Sequence, residues 1–316
     1  MKKILIGLIL ICISAALMAC QKKQAQAPAP LHKKLTVVTT LFPLYDFARA
    51  VAGDKAEVTV LLPPGVEPHS FEPKPEDIVR IAKADLVVYT NEYMEPWAVK
   101  LLKTIAAKPV VVDSSKGVTM LKADPEEEAE HAHEGGHPQG WMDPHIWLDF
   151  ANAQIMVQNI ADGLIAKDPA NREFYTANAH AYQQKLAQLD EEYQAGLKNC
   201  PKRVFLHGGH YAFGYLAKRY GLSYHSAQAV NPDAEPTPAK VAELVKEMRS
   251  NGLKYVYNEE LLSPATAEMI AKETGATVLM LNGAHNVSKE DFDKQVSFLS
   301  LMRQNLVNLK KGLQCP

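Results

Sequence analysis

The chain has 316 residues, 47% of them hydrophobic, and its formal net charge at pH 7 is only −2. A near-zero charge without a basic face argues against nucleic-acid binding. Beyond an export signal and a tether, roughly 280 residues remain, which are many for a single core and suit two domains.

The first 20 residues have the pattern of a secretory signal that ends in a lipid-attachment site. Two lysines precede the apolar residues 4–19, a run too short and wrongly flanked for a membrane span. Residues 17–20, LMAC, resemble the lipobox of bacterial lipoproteins. We expect cleavage to leave Cys20 as a lipid-bearing first residue, which anchors an exported protein to a bacterial membrane, facing the periplasm or the cell exterior. An ordinary signal peptide with an incidental cysteine is the alternative.

Beyond the export signal, the chain has a short polar segment and one pair of cysteines. Residues 21–34 are polar, with Pro and Ala, and we predict a tether that does not fold. Beyond the leader only Cys200 and Cys315 remain, and an even pair in an oxidising compartment predicts a disulfide. Because it would close a long loop, the bridge is worth about 4–5 kcal/mol in the chain-entropy model. Two separate free thiols are the alternative.

Apolar β-branched runs alternate with helical stretches in the first half of the chain. We predict four strands, at residues 35–40, 57–63, 86–91 and 110–115, and three helices, near residues 45–51, 75–84 and 96–107. Nearly continuous apolar runs are typical of parallel strands that are covered on both faces. Strands that alternate with helices imply βαβ units, so residues 35–168 are predicted to form an N-terminal α/β lobe.

An acidic, His-rich tract, residues 124–140, interrupts this lobe. It contains His131, His133 and His137 among acids, glycines and a proline. Short His-rich tracts suggest metal binding, but this composition denies the segment a core of its own. We therefore expect weak auxiliary capture of a cation rather than a preformed site. A solvated acidic loop without a role is the alternative.

Two helical stretches without strands separate the halves, near residues 151–167 and 169–197. In the second, large apolar side chains recur at helical spacing: Phe174, Tyr182, Leu186, Leu189, Tyr193 and Leu197. A helix of this length spans about 40 Å. We predict that residues 169–198 form one rigid connecting helix that holds both lobes.

The strand and helix alternation returns in residues 199–316, which we predict to be a C-terminal α/β lobe. Its strands are expected at residues 204–208, 224–230, 255–260 and 277–281. One helix is expected to end at residue 220, and two more are expected near residues 238–250 and 264–274. A final helix is predicted to start at Ser288, where Asp291 completes a near capping box. This final helix carries an apolar stripe, formed by Phe292, Val296, Leu299, Met302 and Leu306. Open α/β sheets bind ligands at the carboxyl ends of their strands, so the two lobes should face a cleft.

Three histidines fall on loops near this expected cleft. His69 follows the second predicted strand on a Pro-rich loop, and His210 follows the strand at residues 204–208. His145 lies between the N-terminal lobe and the first middle helix. Histidine is the commonest metal ligand, which makes the three candidates for one site. Their spacing alone does not establish that they meet.

The motifs around these histidines resemble a known family. Residues 61–78 (LLPPGVEPHSFEPKPEDI), 143–149 (DPHIWLD) and 210–222 (HYAFGYLAKRYGL) are similar to the three ligand segments of the substrate-binding lipoproteins of zinc and manganese ABC transporters. The similarity covers residues 35–313. It implies zinc capture outside the cytoplasmic membrane and delivery to an ABC-transporter permease, without enzymatic activity. Two α/β lobes, a long connecting helix and a His-rich acidic loop also fit this family.

The resemblance also assigns roles to individual residues. It implies that His69, His145 and His210 are metal ligands, and that Asp143 and Asp149 are supporting carboxylates.

The fourth ligand position departs from the commonest pattern of the family. Many members have an Asp just after the last strand of the C-terminal lobe, where this chain has Asn282. Some zinc-specific members also have Asn there and use a Glu three residues later, which corresponds to His285 here. Imidazole is a good ligand for a dication and a neutral amide is a poor one. We therefore predict His285 as the fourth ligand, with Glu259 as the fallback.

Ligand type favours zinc over manganese. Four imidazoles form a closed tetrahedral zinc site, whereas carboxylate-rich octahedral sites suit manganese. Four acids are expected to balance the charge of the ion by accepting imidazole N–H bonds: Asp143, Asp149, Glu67 and Glu72. The other histidines are not expected to be ligands: His207 is interpreted as supporting or structural, His180 as solvent-facing, and His225 and His32 carry no signal.

Three other functions stay open. A manganese or iron receptor of the same fold would differ in metal preference. A zinc hydrolase needs an open coordination position and a general base, and the chain has no H-E-x-x-H motif. A surface adhesin is neither supported nor excluded by the sequence. We expect a monomeric protein.

Overall fold

The computed structural model describes residues 34–105, 109–122, 142–230 and 235–316. Lys34–Pro316 forms one compact unit. The predicted leader, most of the tether and the His-rich tract lie outside the described residues. The predictions for Cys20, His131, His133 and His137 therefore stay predictions.

The N-terminal lobe contains a sheet of four parallel strands in the order β2-β1-β3-β4. The strands are β1 Leu35–Thr39, β2 Ala56–Val60, β3 Leu86–Tyr89 and β4 Val110–Asp113, and the connecting helices are α1 Phe42–Ala52, α2 Pro75–Lys83 and α3 Pro96–Thr104. Each of these helices has a Pro in its first turn, where the missing N–H has no intrahelical partner to lose. The predicted elements of this lobe are confirmed, with shifts at their ends.

Two helices follow the N-terminal sheet, α4 Phe150–Lys167 and α5 Arg172–Leu197. The 26 residues of α5 correspond to about 39 Å at the α-helical rise. A 3-10 turn at Pro169–Asn171 precedes α5, so the helix starts slightly later than predicted. α5 packs along α4 and α1.

The C-terminal lobe repeats the first topology, with four parallel strands in the order β6-β5-β7-β8. They are β5 Val204–His207, β6 Ser223–Ser226, β7 Tyr255–Asn258 and β8 Thr277–Met280, connected by α6 Gly214–Tyr220, α7 Pro238–Ser250 and α8 Ala265–Thr274. In both sheets the strand order reverses beside the first strand, which creates a crevice at the carboxyl edge. The two α/β lobes are therefore confirmed.

The prediction of a single final helix that starts at Ser288 is wrong. The structure has two helices, α9 Lys289–Asp293 and α10 Phe298–Gly312. Ser288 does cap α9, where its Oγ accepts from the Asp291 N–H at 3.1 Å. Gln295 has a φ of +56°, which ends the first helix, and a new cap follows it. Apolar residues on both sides of the break still contact the core, so their spacing could not reveal it.

One continuous apolar core joins the lobes. Phe47 of α1 packs edge-on against Phe298 of α10, with ring centroids 5.1 Å apart. Phe150 of α4 contacts Tyr193 of α5 at 5.0 Å, and α5 also packs against α10 and α6. The connecting helix therefore holds both lobes, as predicted.

A disulfide closes the C-terminal lobe. Cys200 lies just after α5 and is bonded to Cys315, which follows α10. The predicted bridge is confirmed, and it fixes the end of the connecting helix to the last helix of the chain. In the described parts of the chain, no helix combines the length and the apolar character that crossing a membrane requires.

Candidate metal centre

Four histidines from both lobes converge on one point. The candidate ligand atoms of His69, His145, His210 and His285 all lie within 4.8 Å of one another. The Nε2 atom of His145 is 3.3 Å from that of His69 and 3.4 Å from that of His210. Around a tetrahedral zinc with Zn–N bonds of about 2.0–2.1 Å, ligand nitrogens lie about 3.3–3.4 Å apart. The two measured separations match this edge length.

Each histidine lies on a loop that the fold brings to the cleft. His69 follows β2, His210 follows β5 and His285 follows β8. His145 immediately precedes the 3-10 turn Ile146–Leu148, which leads into α4. His145, His210 and His285 are buried, whereas His69 is half-buried. His69 is therefore the member of the cluster that is most exposed to solvent.

Asp143 orients His145. Its Oδ1 accepts the His145 backbone N–H at 3.0 Å and pairs with His145 Nδ1 at 2.7 Å. A neutral imidazole that donates through Nδ1 keeps the lone pair of Nε2 free, and that atom faces the cluster. Hydrogen bonds of this kind between a carboxylate and a ligating imidazole are typical of zinc sites.

Glu259 has the same relation to His210. Its Oε1 accepts the His210 backbone N–H at 3.0 Å and pairs with His210 Nδ1 at 2.8 Å, and its Oε2 is also 2.8 Å from Nδ1. Glu259 thus lies behind His210, on the Nδ1 side of its ring, and is not one of the four clustered residues. Gly209 permits this approach, because a Cβ there would lie 2.1 Å from the Glu259 carboxylate.

The electrostatics of the cluster favour neutral imidazoles at two of the four positions. Burial, and then the neighbouring histidines, hold the pKa values of His145 and His285 well below 6.5. The buried Nε2 of His285 has no hydrogen-bond partner among the described residues. A free buried lone pair at this position is what a metal ligand requires.

A tight turn presents His285. Asn282 Oδ1 accepts the Ala284 N–H at 2.7 Å, and Ala284 has a φ of +55°. A Cβ on Gly283 would lie 2.5 Å from His285 Nδ1, so glycine is required there. Asn282 therefore shapes the turn that brings His285 to the cluster.

The His285 turn is also bound to the N-terminal lobe. Asn286 Nδ2 donates to the carbonyls of Pro63 and Val66, at 2.7 and 2.9 Å, in the loop that leads to His69. The Phe42 N–H at the start of α1 donates to His285 O at 3.2 Å. The loop that leads to His69 and the turn that carries His285 are thus joined by hydrogen bonds.

The four predicted supporting acids have different surroundings. Asp149 caps α4 through the Ala151 N–H at 2.8 Å and forms an ion pair with Arg219 at 2.8 Å, so it does not support a ligand imidazole directly. Glu67 accepts from the Ser70 N–H at 2.9 Å, and Glu72 is exposed. Asp143 is hydrogen-bonded to the imidazole of His145, as predicted.

The other described histidines lie outside the cluster. His207 is buried, and its Nδ1 accepts the Gly209 N–H at 3.2 Å, which fits a structural role. Burial lowers its pKa to about 4. His180 is exposed on α5, as predicted, and His225 contacts Ser223 on β6.

Sequence reasoning missed several residues that position the site. Glu260 accepts the Gly283 N–H at 3.0 Å, and Trp147 Nε1 donates to Gly283 O at 2.8 Å. The Tyr215 hydroxyl donates to Asp143 O at 3.0 Å. The acids at the end of the YVYNEE strand and the tryptophan beside His145 were visible signals, but their partners are distant in the chain.

Comparisons with known proteins agree with this geometry. Residues 37–312 match the family described as zinc-uptake complex component A, periplasmic. The chain is 39% identical over 281 residues to the high-affinity zinc uptake system protein ZnuA of Bacillus subtilis, covering 89% of this chain and 88% of that protein.

Two streptococcal comparisons concern a longer protein. The chain is 38% identical over 314 residues to the zinc-binding lipoprotein AdcA of Streptococcus pneumoniae, covering 98% of this chain but spanning only 61% of AdcA. The crystal structure of the Zn(II)-bound ZnuA-like domain of that AdcA superposes with a TM-score of 0.75 at 37% identity, covering 89% of this chain and 99% of that domain.

Proposed function

The chain belongs to the zinc-uptake complex component A family, and we propose that it captures zinc outside the cytoplasmic membrane and delivers it to the permease of an ABC transporter. Membership makes the chain an exported binding receptor and not an enzyme. The metal is its cargo, and the permease of the uptake system is its partner.

One observation carries this proposal: four imidazoles from two lobes meet with Nε2 separations of 3.3 and 3.4 Å. Two of the donor separations equal the edge of a zinc tetrahedron, and nitrogen donors suit zinc. Loops rather than helices carry all four candidate ligands.

The donor set supports zinc over manganese. Manganese prefers carboxylate and water oxygens in octahedral geometry, and the four clustered donors are nitrogens. Asp143 and Glu259 lie behind two of the imidazoles and offset the charge of a dication without taking a coordination position. Affinity order alone would favour copper, so selectivity against it depends on geometry and supply.

The geometry argues against a zinc hydrolase. Catalytic zinc keeps one position open for water, whereas four imidazoles close the tetrahedron. The cavity beside His210 and His285 has a volume of about 20 Å³, enough for about one water-sized particle.

We also propose that Cys20 carries the membrane anchor and that the receptor acts as a monomer. The LMAC sequence and the name of the related AdcA lipoprotein support the anchor. A Cys20→Ala substitution should move the protein from the membrane fraction to the soluble fraction. Unchanged fractionation would contradict the anchor. Sedimentation of the tether-free protein with and without zinc should give a single monomeric species.

Zinc titration tests the main proposal. In competition with a chelator, the parent protein should bind one zinc tightly and manganese much more weakly. His180→Ala, which changes an exposed histidine on α5, is the control and should bind as the parent does. In the cell that makes the protein, deletion of its gene should impair growth only when zinc is scarce. Tight binding of manganese but not zinc would overturn the proposal.

A further inference from the structure

Trp147 connects the two lobes at the metal site. It is fully buried, and its indole Nε1 donates to the carbonyl of Gly283 at 2.8 Å, 136 residues away in the chain. Trp147 follows His145 by two residues, and Gly283 precedes His285 by two. The bond therefore joins the motif that carries one ligand to the turn that carries another.

The indole ring also contacts both imidazoles. Its centroid is 5.6 Å from that of His145 and 5.2 Å from that of His285, in edge-on arrangements of 73° and 86°. The two imidazoles are 4.8 Å apart, the smallest centroid separation among the four ligands. Contacts on two sides restrict both rings to rotations that keep them facing the cluster.

The backbone N–H of Gly283 is hydrogen-bonded as well as its carbonyl. Glu260 Oε2 accepts the Gly283 N–H at 3.0 Å, while Trp147 takes the carbonyl. The residue has no room for a side chain, since a Cβ would collide with His285. Both backbone polar groups of Gly283 are therefore hydrogen-bonded, which limits how far the turn can move His285.

We propose that Trp147 is a positioning residue for zinc, which holds His285 in place relative to His145 through Gly283. This inference rests on the proposed zinc function. In addition to the bonds from Asn286 to Pro63 and Val66, a side chain of the opposite lobe thus holds the turn two residues before His285. Without the indole bond the turn loses one of these contacts, and more of the ordering of His285 must occur when zinc binds.

A double-mutant cycle tests the proposal. Trp147→Phe keeps an aromatic ring but removes the N–H donor, and loss of a partner outside the ligand set typically lowers metal affinity about 10-fold or more. We expect a loss of this size in the parent background. In a His285→Ala background the same substitution should cost nothing further, because its effect acts through His285. In a His69→Ala background it should keep its full cost.

Tyr182→Phe is the matched control, because it also keeps an aromatic ring and removes one donor. Tyr182 is buried on α5, and its hydroxyl donates to Asp46 Oδ2 at 2.7 Å rather than to a residue of the His285 turn, so its substitution should leave zinc affinity unchanged. Equal costs of Trp147→Phe in the His285→Ala and His69→Ala backgrounds would overturn the proposal. Failure of the parent protein to bind zinc would instead overturn the proposed function, which the same titrations reveal separately.

A second measurement needs no substitution, so it tests the proposal even if Trp147→Phe does not fold. In the intact protein labelled with 15N-tryptophan, the Trp147 indole N–H should exchange slowly with solvent both without and with zinc. Its resonance should also shift on zinc binding. Fast exchange in the metal-free protein would show that the bond is not formed in advance and would overturn the proposal.

Discussion

Two carboxylate–imidazole pairs support the metal site with nearly the same geometry. Asp143 accepts the backbone N–H of His145 at 3.0 Å and pairs with its Nδ1 at 2.7 Å. Glu259 accepts the backbone N–H of His210 at 3.0 Å and pairs with its Nδ1 at 2.8 Å. Asp143 is two residues from its histidine, whereas Glu259 is 49 residues from its own. One pair is built by a local turn and the other by the adjacency of β5 and β7.

The two pairs differ in their electrostatic surroundings. Burial raises the pKa of Asp143 to about 7 and lowers that of His145, which is surrounded by other imidazoles. Burial also opposes ionisation of Glu259 and His210, but their mutual attraction wins: the pKa of Glu259 is lowered and that of His210 is raised. Glu67 and Glu260 add to the raised pKa of His210. Equal hydrogen-bond geometry thus does not imply equal charge, because burial and the neighbouring charges also set the pKa values of a pair.

Removing a ligand from either pair should have the largest effect. We expect His145→Ala and His210→Ala each to lower zinc affinity by more than about 100-fold, since loss of a partner outside the ligand set already costs about 10–100-fold. Each variant also leaves a buried carboxylate without its imidazole. Chelator-competition titrations measure the loss, and circular dichroism checks the fold. A variant that titrates as the parent does would remove that histidine from the site.

His285, which no described carboxylate supports in this way, should be the more dispensable ligand. His285→Ala leaves three imidazoles, which still bind zinc with water in the fourth position, so we expect a loss of up to about 100-fold. His285→Asp should restore tight binding and shift preference towards harder metals such as manganese. Competition between zinc and manganese measures both. If His285→Ala is silent, the fourth ligand lies elsewhere.

Replacing the two carboxylates by amides compares the pairs directly. Both Glu259 oxygens lie 2.8 Å from His210 Nδ1, so Glu259→Gln turns an amide group towards an N–H donor, and we expect a loss of about 10–100-fold in zinc affinity. Asp143 uses only Oδ1, and its Oδ2 has no partner among the described residues.

Asp143→Asn therefore keeps its bond to His145, and we expect the smaller loss, about 10-fold. The same titrations measure both amide variants. A larger loss for Asp143→Asn than for Glu259→Gln would show that charge, rather than bond geometry, separates the pairs.

The sequence predicts what is local and misses what the sheets bring together. DPHIWLD contains both members of the Asp143–His145 pair, so its role was readable from one motif. The role of Glu259 depends on β7 lying beside β5, and spacing along the chain carries no trace of that neighbour. An acid at a strand end can be a metal ligand or an acceptor for a ligand imidazole, so the sequence alone leaves both roles open for Glu259.

The same distinction explains the other outcomes. The alternation of strands and helices predicts both lobes, because burial imposes that pattern residue by residue. The break at Gln295 escaped prediction, since a turn can preserve the spacing of apolar contacts on both sides. The bond from Trp147 to Gly283 crosses between lobes, and no periodicity encodes it.

The described residues that flank the His-rich tract contact the Asp143 pair, so deleting the tract is the mildest test of the comparison. The Tyr215 hydroxyl accepts the Leu121 N–H at 2.9 Å and donates to Asp143 O at 3.0 Å, and the Asp143 N–H donates to Leu121 O at 2.9 Å. Lys122 and Met142 form a β-bridge just inside these bonds, so the two ends of the tract are already paired.

Deleting residues 126–137 leaves a short connection between Lys122 and Met142, which a hairpin-like loop closes without strain. All four clustered histidines remain. We therefore expect calorimetry to show one tight zinc site of unchanged affinity and the loss of weaker additional binding only. Any effect on the tight site should act through Asp143 and His145, so it should disappear in an Asp143→Asn background and persist in a Glu259→Gln background. Complete loss of the tight site would mean that the tract supplies a ligand, and the four-histidine assignment would then be wrong.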